Sequence, residues 1–129
     1  MIKANRKQKF KSKFEKYVAK QLEELKIPLQ YEADVLHYIV PEKKHRYYPD
    51  FKVRENFYIE SKGIFDYKDR QKMLLVKEQY PKVRICIVFY NARQRLSKLS
   101  RTTYAEWCDK NGIQWSHRII KKEWLNEAV

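Results

Sequence analysis

The sequence predicts an α/β fold in which a central mixed β-sheet is flanked by helices. Residues 47–62 form two runs of aromatic and β-branched residues around a polar turn, as expected of an antiparallel β-hairpin. Residues 83–89 are almost continuously apolar, which is typical of a central strand covered on both faces. A helical pattern separates the two stretches, and this strand–helix–strand order favours a right-handed crossover with parallel pairing.

The first helix is predicted from Ser12 to about Lys26, because apolar residues recur there at helical spacing and Pro28 follows. Ser12 and Glu15 have the spacing of a capping box, in which the Glu15 carboxylate accepts a hydrogen bond from the Ser12 amide. Capping is therefore the role that local pattern alone predicts for Glu15. Residues 1–9 are basic and lack periodicity, so we expect a flexible arm that touches DNA phosphates or a plain disordered tail.

Two extended segments, at about 29–33 and 36–40, come before the basic stretch 41–46. This stretch contains no turn glycine, so a tight reversal is weakly encoded. Local chemistry leaves open whether the chain turns back here or runs on as an extended bridge. We expect a single domain over residues 10–129, with 41–46 separating the N-terminal elements from the sheet core and C-terminal helices at 47–129.

The hairpin at 47–62 divides its side chains between the two faces of the sheet. Because side chains alternate along a strand, the apolar residues share one face, which we predict to be core. Asp50, Tyr58, Glu60 and Lys62 share the other face, which we predict not to be core. With Glu55 at the tip, the predicted cross-strand pairs are Phe51 with Ile59, Val53 with Phe57, and Asp50 with Glu60.

The pairing of Asp50 with Glu60 predicts a cation site. Two carboxylates at about 5 Å across a strand pair repel by roughly 3 kcal/mol at an effective dielectric near 20. A divalent cation between them converts that repulsion into binding, since Mg²⁺ is often held by one or two carboxylates together with water and phosphate oxygens. Lys62 points the same way and is placed to hold a water or a phosphate oxygen. The alternative is a solvated strand face carrying a Glu60–Lys62 pair.

The second half of the chain is predicted to alternate helices and short strands. A helix from about Asp66, its N-cap, to Gln79 precedes the apolar strand. Residues 90–101 are rich in arginine and lysine and are expected to form a phosphate-contacting loop. Thr103 opens a second capping-box pattern, whose short helix ends near Gly112. A small strand at 113–115 and a helix at about 121–127 complete the prediction.

The charge balance indicates a polyanionic partner. Lys and Arg number 29 against 16 Asp and Glu, a formal net charge of +13, so we expect nucleic-acid binding with strong salt dependence. No apolar run is long enough to span a membrane, no Cys–His spacing suggests zinc, and two glycines cannot form a glycine-rich phosphate loop. Cys86 and Cys108 lie in apolar elements and are predicted to be reduced, buried thiols of a cytoplasmic protein.

The residues of the predicted cation site also carry a resemblance to a known family. Pro49-Asp50 followed by Glu60-Ser61-Lys62 resembles the signature of the restriction-endonuclease-like (PD-(D/E)xK) nuclease superfamily. The flanking sequence closely resembles one family within it, the phage endonuclease I family of enzymes that resolve four-way DNA junctions. The matching stretches, spread over residues 10–124, are FKSKFE (10–15), KQLE (20–23), YPDF (48–51), ESKG (60–63), DRQK (69–72), IVF (87–89) and YAEWC (104–108).

The resemblance implies a restriction-endonuclease-like core that hydrolyses DNA with the help of metal ions. Asp50, Glu60 and a third carboxylate, Glu15, would hold one or two Mg²⁺ ions, for which Mn²⁺ substitutes. The backbone carbonyl of Ser61 would be a further ligand. Lys62 would position the attacking water or offset charge on the phosphate.

The resemblance also implies an intertwined homodimer that acts on branched double-stranded DNA in the host cytoplasm. The stretch 41–46 would bridge two halves exchanged between subunits, so that Glu15 of one chain joins the other carboxylates and Lys62 of its partner. The basic residues expected to grip DNA are Lys43, Lys44, Arg46, Lys68, Arg70, Lys72, Arg93, Arg95, Lys98 and Arg101.

Two alternatives predict different behaviour. A restriction-type or transposase-type nuclease would cut linear duplex at defined sites. A non-catalytic basic nucleic-acid-binding protein would keep every activity after Asp50→Asn and Glu60→Gln.

Overall fold

The structure, a computed structural model, describes residues 9–40 and 43–126. The basic arm predicted at 1–9 therefore lies outside the described residues except for its last position. The helices are α1 (Lys13–Glu24), α2 (Tyr67–Gln79), α3 (Tyr104–Lys110) and α4 (Lys122–Asn126). The strands are β1 (Leu36–Val40), β2 (Lys43–Tyr47), β3 (Phe51–Arg54), β4 (Phe57–Lys62), β5 (Arg84–Phe89) and β6 (Trp115–His117). The predicted mixed α/β class is confirmed.

Four of the strands form one mixed sheet in the order β3-β4-β5-β6. β3 is antiparallel to β4, whereas β4 with β5 and β5 with β6 are parallel. β4 therefore belongs both to the predicted hairpin and to the predicted parallel strand–helix–strand unit. Because β4, β5 and β6 run the same way, their carboxyl ends meet at one edge of the sheet, and Lys62 lies at that edge.

The register of the hairpin agrees with the prediction before an irregularity in β3 and differs from it between that irregularity and the turn. Phe51 pairs with Ile59 as expected, but Arg54, not Val53, pairs with Phe57, because the register shifts between Lys52 and Arg54. The extra residue in β3 is typical of a β-bulge.

The prediction that only one face of the hairpin is core is wrong. One apolar cluster contains Phe51, Ile59 and residues of α1 such as Val18. Another cluster, on the opposite face, contains Tyr58 together with Met73 of α2. Helices α1 and α2 therefore cover opposite faces of the sheet, and the polar side chains on the second face of β4 are enclosed rather than solvated.

Residues 43–46 of the predicted basic stretch belong to strand β2. β2 pairs antiparallel with β1 of the same chain, with Val40 opposite Lys43. Pro41 and Glu42 lie outside the described residues. The single chain therefore shows paired strands here instead of an unpaired extended bridge, and an exchange of these elements between subunits stays a prediction.

The other elements differ from the sequence prediction mainly at their ends. Segment 29–33 makes no strand; Tyr31 forms an isolated bridge with Phe51. The small strand predicted at 113–115 is displaced to Trp115–His117. The caps predicted at Asp66 and Thr103 are confirmed, the latter with both hydrogen bonds of its capping box.

Cys86 and Cys108 are free and buried, as predicted, and burial raises the pKa of the Cys108 thiol to about 12. Among residues 9–40 and 43–126, no helix is long and apolar enough to cross a membrane.

Candidate active site

Asp50 and Glu60 form a buried carboxylate pair where β3 begins and β4 nears its end. Only 6% of Asp50 and 4% of Glu60 are exposed. The Asp50 amide donates to Glu60 Oε1 at 3.1 Å, and the Ser61 amide and hydroxyl donate to Asp50 Oδ2 at 2.9 and 3.0 Å. Each carboxylate is therefore held by backbone next to the other, so the hairpin itself fixes their separation. The structure brings these two predicted site residues together.

A tyrosine that the sequence prediction missed also holds the pair. The hydroxyl of Tyr47, at the end of β2, donates to Glu60 Oε1 at 2.7 Å, and both side chains are buried. Tyr47 lies two residues before Pro49 in an aromatic run, and such a run is typical of a strand or of any segment packed in the core. No local signal assigns it to the carboxylate.

The environment of the pair opposes its full ionisation. Burial, followed by the nearby charge of Glu60, raises the pKa of Asp50 to about 9, although the Ser61 amide acts in the opposite direction. Burial also raises the pKa of Glu60, against the lowering effects of Lys62, the Tyr47 hydroxyl and the Asp50 amide. Two buried like charges so close together require either a proton or a cation between them at neutral pH. The pair is therefore a suitable holder for a hard divalent cation.

Lys62 lies beside the pair and is held by an acidic residue of α2. Its Nζ is 3.7 Å from Glu60 Oε2 and 3.2 Å from Asp69 Oδ1. Burial lowers the pKa of Lys62, but Glu60 and Asp69 more than offset this effect, so the pKa is raised overall. The ammonium therefore stays charged. The sequence did not predict a role for Asp69, because its approach to Lys62 depends on how α2 packs. Its only signal in the sequence was its place in the matching DRQK stretch.

Glu15 makes only half of the predicted capping box. Its amide donates to Ser12 Oγ at 3.0 Å, but its carboxylate does not reach back to the Ser12 amide. Instead, Glu15 Oε1 accepts from the Tyr31 hydroxyl at 2.6 Å and from the Lys11 amide at 2.7 Å. Glu15 is buried, and its charge contributes to the raised pKa of Asp50. It therefore lies within electrostatic reach of the pair.

The third carboxylate is not in direct ligand geometry with the other two. Over residues 9–40 and 43–126, no group of three or more His, Cys, Asp or Glu side chains is arranged to hold a metal ion. Asp50 and Glu60 supply two neighbouring sets of hard oxygen donors, which fits a cation that completes its coordination with water and phosphate oxygens.

The basic residues predicted to grip DNA divide into two groups. Arg70 and Lys72 are partly buried and have partners inside the protein. Arg70 donates to the Phe65 carbonyl at 2.7 Å, while Lys72 lies 3.8 Å from Asp69 and 4.9 Å from the centre of the Tyr47 ring. The side chain of Lys43 lies outside the described part of the structure. The exposed members are Lys44, Arg46, Lys68, Arg93, Arg95, Lys98 and Arg101.

Asp50→Asn is expected to stabilise the metal-free protein at neutral pH. Folding raises the pKa of Asp50, so the protonated Asp50 carboxyl stabilises the folded protein below about pH 4. This stabilisation is lost as the pH rises through about 9. Asparagine removes the ionisation and keeps an oxygen that can accept from Ser61. We expect a gain of about 2 kcal/mol at pH 7.5 that shrinks toward zero at pH 4, measured by urea unfolding in EDTA. A stability difference that does not change with pH would contradict this assignment.

Comparison with known proteins places the chain beside phage nucleases. The family model described as Phage endonuclease I matches residues 1–129. Endonuclease I of Escherichia phage T7 is 41% identical over 118 residues, which cover 92% of this chain and 79% of that protein. Endodeoxyribonuclease 1 of Enterobacteria phage T3 is 43% identical over 111 residues, which cover 86% of this chain and 73% of that protein.

Proposed function

Because the chain belongs to the phage endonuclease I family, we propose that it resolves four-way and other branched DNA junctions by metal-dependent, paired hydrolysis of phosphodiester bonds. Membership of this family makes it a phage DNA endonuclease; its choice of branched substrates and its need for a metal are what we add. The observation that supports the chemistry most is the buried Asp50–Glu60 pair with a charged Lys62 beside it.

The carboxylates are the groups that would hold Mg²⁺, or Mn²⁺ in its place. Both hydrogen bonds to Asp50 fall on Oδ2 and both to Glu60 fall on Oε1, so we expect the other oxygen of each to face the cation. The Ser61 carbonyl would be a further ligand, and Glu15, which lies outside direct ligand geometry in the single chain, would have to approach the pair to complete a site for one or two ions. A bound metal supplies Lewis-acid stabilisation of the phosphate and a lowered pKa for bound water.

Lys62 acts as a fixed positive charge in this proposal. Its raised pKa keeps it protonated, so it cannot take a proton as a general base near neutral pH. It is suited to donate a hydrogen bond to the attacking water or to a phosphate oxygen, where negative charge develops during the reaction. Asp69 Oδ1 lies 3.2 Å from Lys62 Nζ and holds the ammonium near Glu60.

We propose further that two chains form an intertwined homodimer. In a domain swap, an element leaves its own chain and makes the same contacts with the partner. The β1–β2 pair is a place where this can happen, because it connects the part that carries Glu15 to the part that carries Asp50 and Glu60. Two active sites at fixed separation suit paired cuts in a branched DNA, whose shape rather than sequence is recognised.

Binding to the arms of the junction would come from the exposed lysine and arginine side chains of β2 and of the loop after β5. The excess of 29 basic over 16 acidic residues gives the chain the charge that such binding requires. The host cytoplasm, where branched phage DNA is found, is the location we infer.

The metal requirement is tested with purified protein that has been dialysed against EDTA. We expect no cleavage of a labelled four-way junction until Mg²⁺ or Mn²⁺ is added, and binding without cleavage in Ca²⁺. Cleavage at full rate in EDTA would show that the carboxylate pair does not work through a metal.

Tyr47→Phe is expected to weaken metal binding by about tenfold to a hundredfold. The change removes the hydroxyl that donates to Glu60 Oε1 at 2.7 Å and leaves the ring in place. Mn²⁺ titration calorimetry and the Mg²⁺ dependence of cleavage measure the effect. Tyr58→Phe is the matched control, because it removes a similar hydrogen bond to Asp34 Oδ2, at 2.8 Å. Equal metal affinity in Tyr47→Phe and wild type would contradict a role for Tyr47 in holding Glu60.

A further inference from the structure

A second surface next to the candidate active site combines exposed aromatic rings with cationic side chains. It is a shallow depression of about 360 Å³ lined by Lys13, Phe14, Tyr17, Tyr90 and Arg118. Tyr17 and Tyr90 are 49% and 51% exposed, so about half of each side chain is open to solvent. We call this surface the aromatic depression.

The aromatic depression adjoins the site from two sides. Phe14 directly precedes Glu15 on α1. Tyr90 directly follows β5, and its amide donates to the Lys62 carbonyl at 2.9 Å. Both lie at the edge of the sheet where β4 and β5 end, which is also the edge that carries Lys62. The depression and the candidate active site therefore share the edge of the sheet where β4 and β5 end.

The rings are arranged before any ligand arrives. Phe14 stacks on Tyr17, with ring centres 6.1 Å apart and planes at 24°, and meets Tyr90 edge-on at 5.7 Å. The guanidinium of Arg118 lies 4.2 Å from the centre of the Tyr90 ring, and its Nε donates to the Tyr90 carbonyl at 2.8 Å. A base that enters here meets aromatic rings that contact one another and Arg118.

Arg118 is held in an unusual backbone conformation. Its φ of 69° lies in the left-handed region that residues other than glycine rarely adopt. The side chain of Gln21 on α1 fixes the segment, because its Nε2 donates to the Arg118 carbonyl at 3.0 Å and its Oε1 accepts from the Ile120 amide at 2.8 Å. Observed strain of this kind is often found where a side chain is positioned for a ligand.

The chemistry of the depression fits a nucleotide. Flat rings offer a stacking surface for a base, and Lys13 and Arg118 offer charge to the phosphate beside it. We propose that the aromatic depression receives an unstacked DNA base next to the cleavage site; this rests on the proposed DNA-cleaving function. A base leaves the stack most easily where pairing is already disturbed, so the depression favours branched over intact duplex DNA.

Photocrosslinking tests the proposal with the full chain in Ca²⁺. A four-way junction carries 5-iodouracil either at the branch point or within one arm, and irradiated complexes are mapped by mass spectrometry. We expect crosslinks to Tyr17 or Tyr90 from the branch-point position and none from the arm. Crosslinks that map only to other residues would overturn the proposal.

Affinity measurements give a second readout. The double variant Tyr17→Leu/Tyr90→Leu should weaken junction binding by about tenfold and linear-duplex binding by less than about twofold. The variant Tyr17→Trp/Tyr90→Trp should restore junction affinity, since it keeps the aromatic surface. Tyr67→Leu is the comparison for an exposed tyrosine outside the depression, because Tyr67 is also exposed and has Arg70 at 5.9 Å from its ring. It lies on α2, which covers the face of the sheet that carries Lys62, so a loss of junction affinity as large as that of the double leucine variant would overturn the inference.

The outcomes separate this inference from the function on which it rests. An equal loss of affinity for junction and duplex in the double leucine variant would overturn the inference, because it indicates phosphate contacts alone. Unchanged affinity would overturn it as well. A wild-type protein that binds junction and duplex equally would instead contradict the proposed function, whatever the variants do.

Discussion

Glu60→Gln is expected to lower the rate of DNA cleavage by about a thousandfold or more and to leave DNA binding nearly unchanged. Glutamine has the shape of glutamate and keeps an oxygen that can accept from Tyr47 and Asp50. It removes the negative charge, and with it the affinity for a divalent cation that we propose for the pair. Single-turnover cleavage in Mg²⁺ measures the rate, and titration in Ca²⁺ measures the affinity.

Glu55→Gln is the matched control for this change. Glu55 lies in the turn of the same hairpin, its side chain is 84% exposed, and it pairs with Lys52. We expect wild-type cleavage and binding from this variant. If Glu60→Gln also cut DNA at the wild-type rate, the buried pair would have no role in the cleavage reaction.

Mixed dimers of a Glu15→Gln chain and a Glu60→Gln chain are expected to recover cleavage that neither homodimer shows. In an exchanged dimer, one site receives Glu15 from the Glu60→Gln chain and Glu60 from the Glu15→Gln chain, so it is intact. The other site lacks both carboxylates. In a dimer without exchange, each site lacks one carboxylate and neither is active.

Chains with two different affinity tags, expressed together and purified through both tags, provide the mixed dimer. We expect a single nick per junction at about half of the total wild-type nicking rate, since one of two sites functions. The structural change is mild, because Ser12 caps α1 through the Glu15 amide, which the substitution retains. A purified mixed dimer as inactive as both parent homodimers would contradict the exchange.

Local signals predicted most of the fold. Alternation of side chains located the hairpin, a continuous apolar run located β5, and Asp66 and Thr103 marked helix starts. The hairpin register failed beyond Lys52 because the turn spans two residues, with Asn56 in the left-handed region at φ 62°, and β3 takes up an extra residue. Alternation alone does not locate such an irregularity.

The sequence predicted that Asp50 and Glu60 meet, because cross-strand pairing near a short turn is a local property. It did not predict the groups that surround them. Tyr47 and Asp69 reach the site because of how β2 and α2 pack. The Glu15 carboxylate, which the local pattern predicted to bond the Ser12 amide, instead accepts a hydrogen bond from the Tyr31 hydroxyl. Burial of both faces of β4 likewise depends on α2, which covers the side that strand alternation left open.

Cleavage of a labelled four-way junction, compared with a linear duplex of matched sequence, tests junction resolution most directly. Both DNAs are incubated with the wild-type protein, first in Ca²⁺ for binding and then in Mg²⁺ for cleavage. We predict tight binding that is selective for the junction over the duplex, and paired nicks in the junction that require Mg²⁺. Cleavage of the linear duplex at defined sequences would indicate a restriction-type or transposase-type nuclease instead, and equal binding of both DNAs without cleavage would contradict junction resolution altogether.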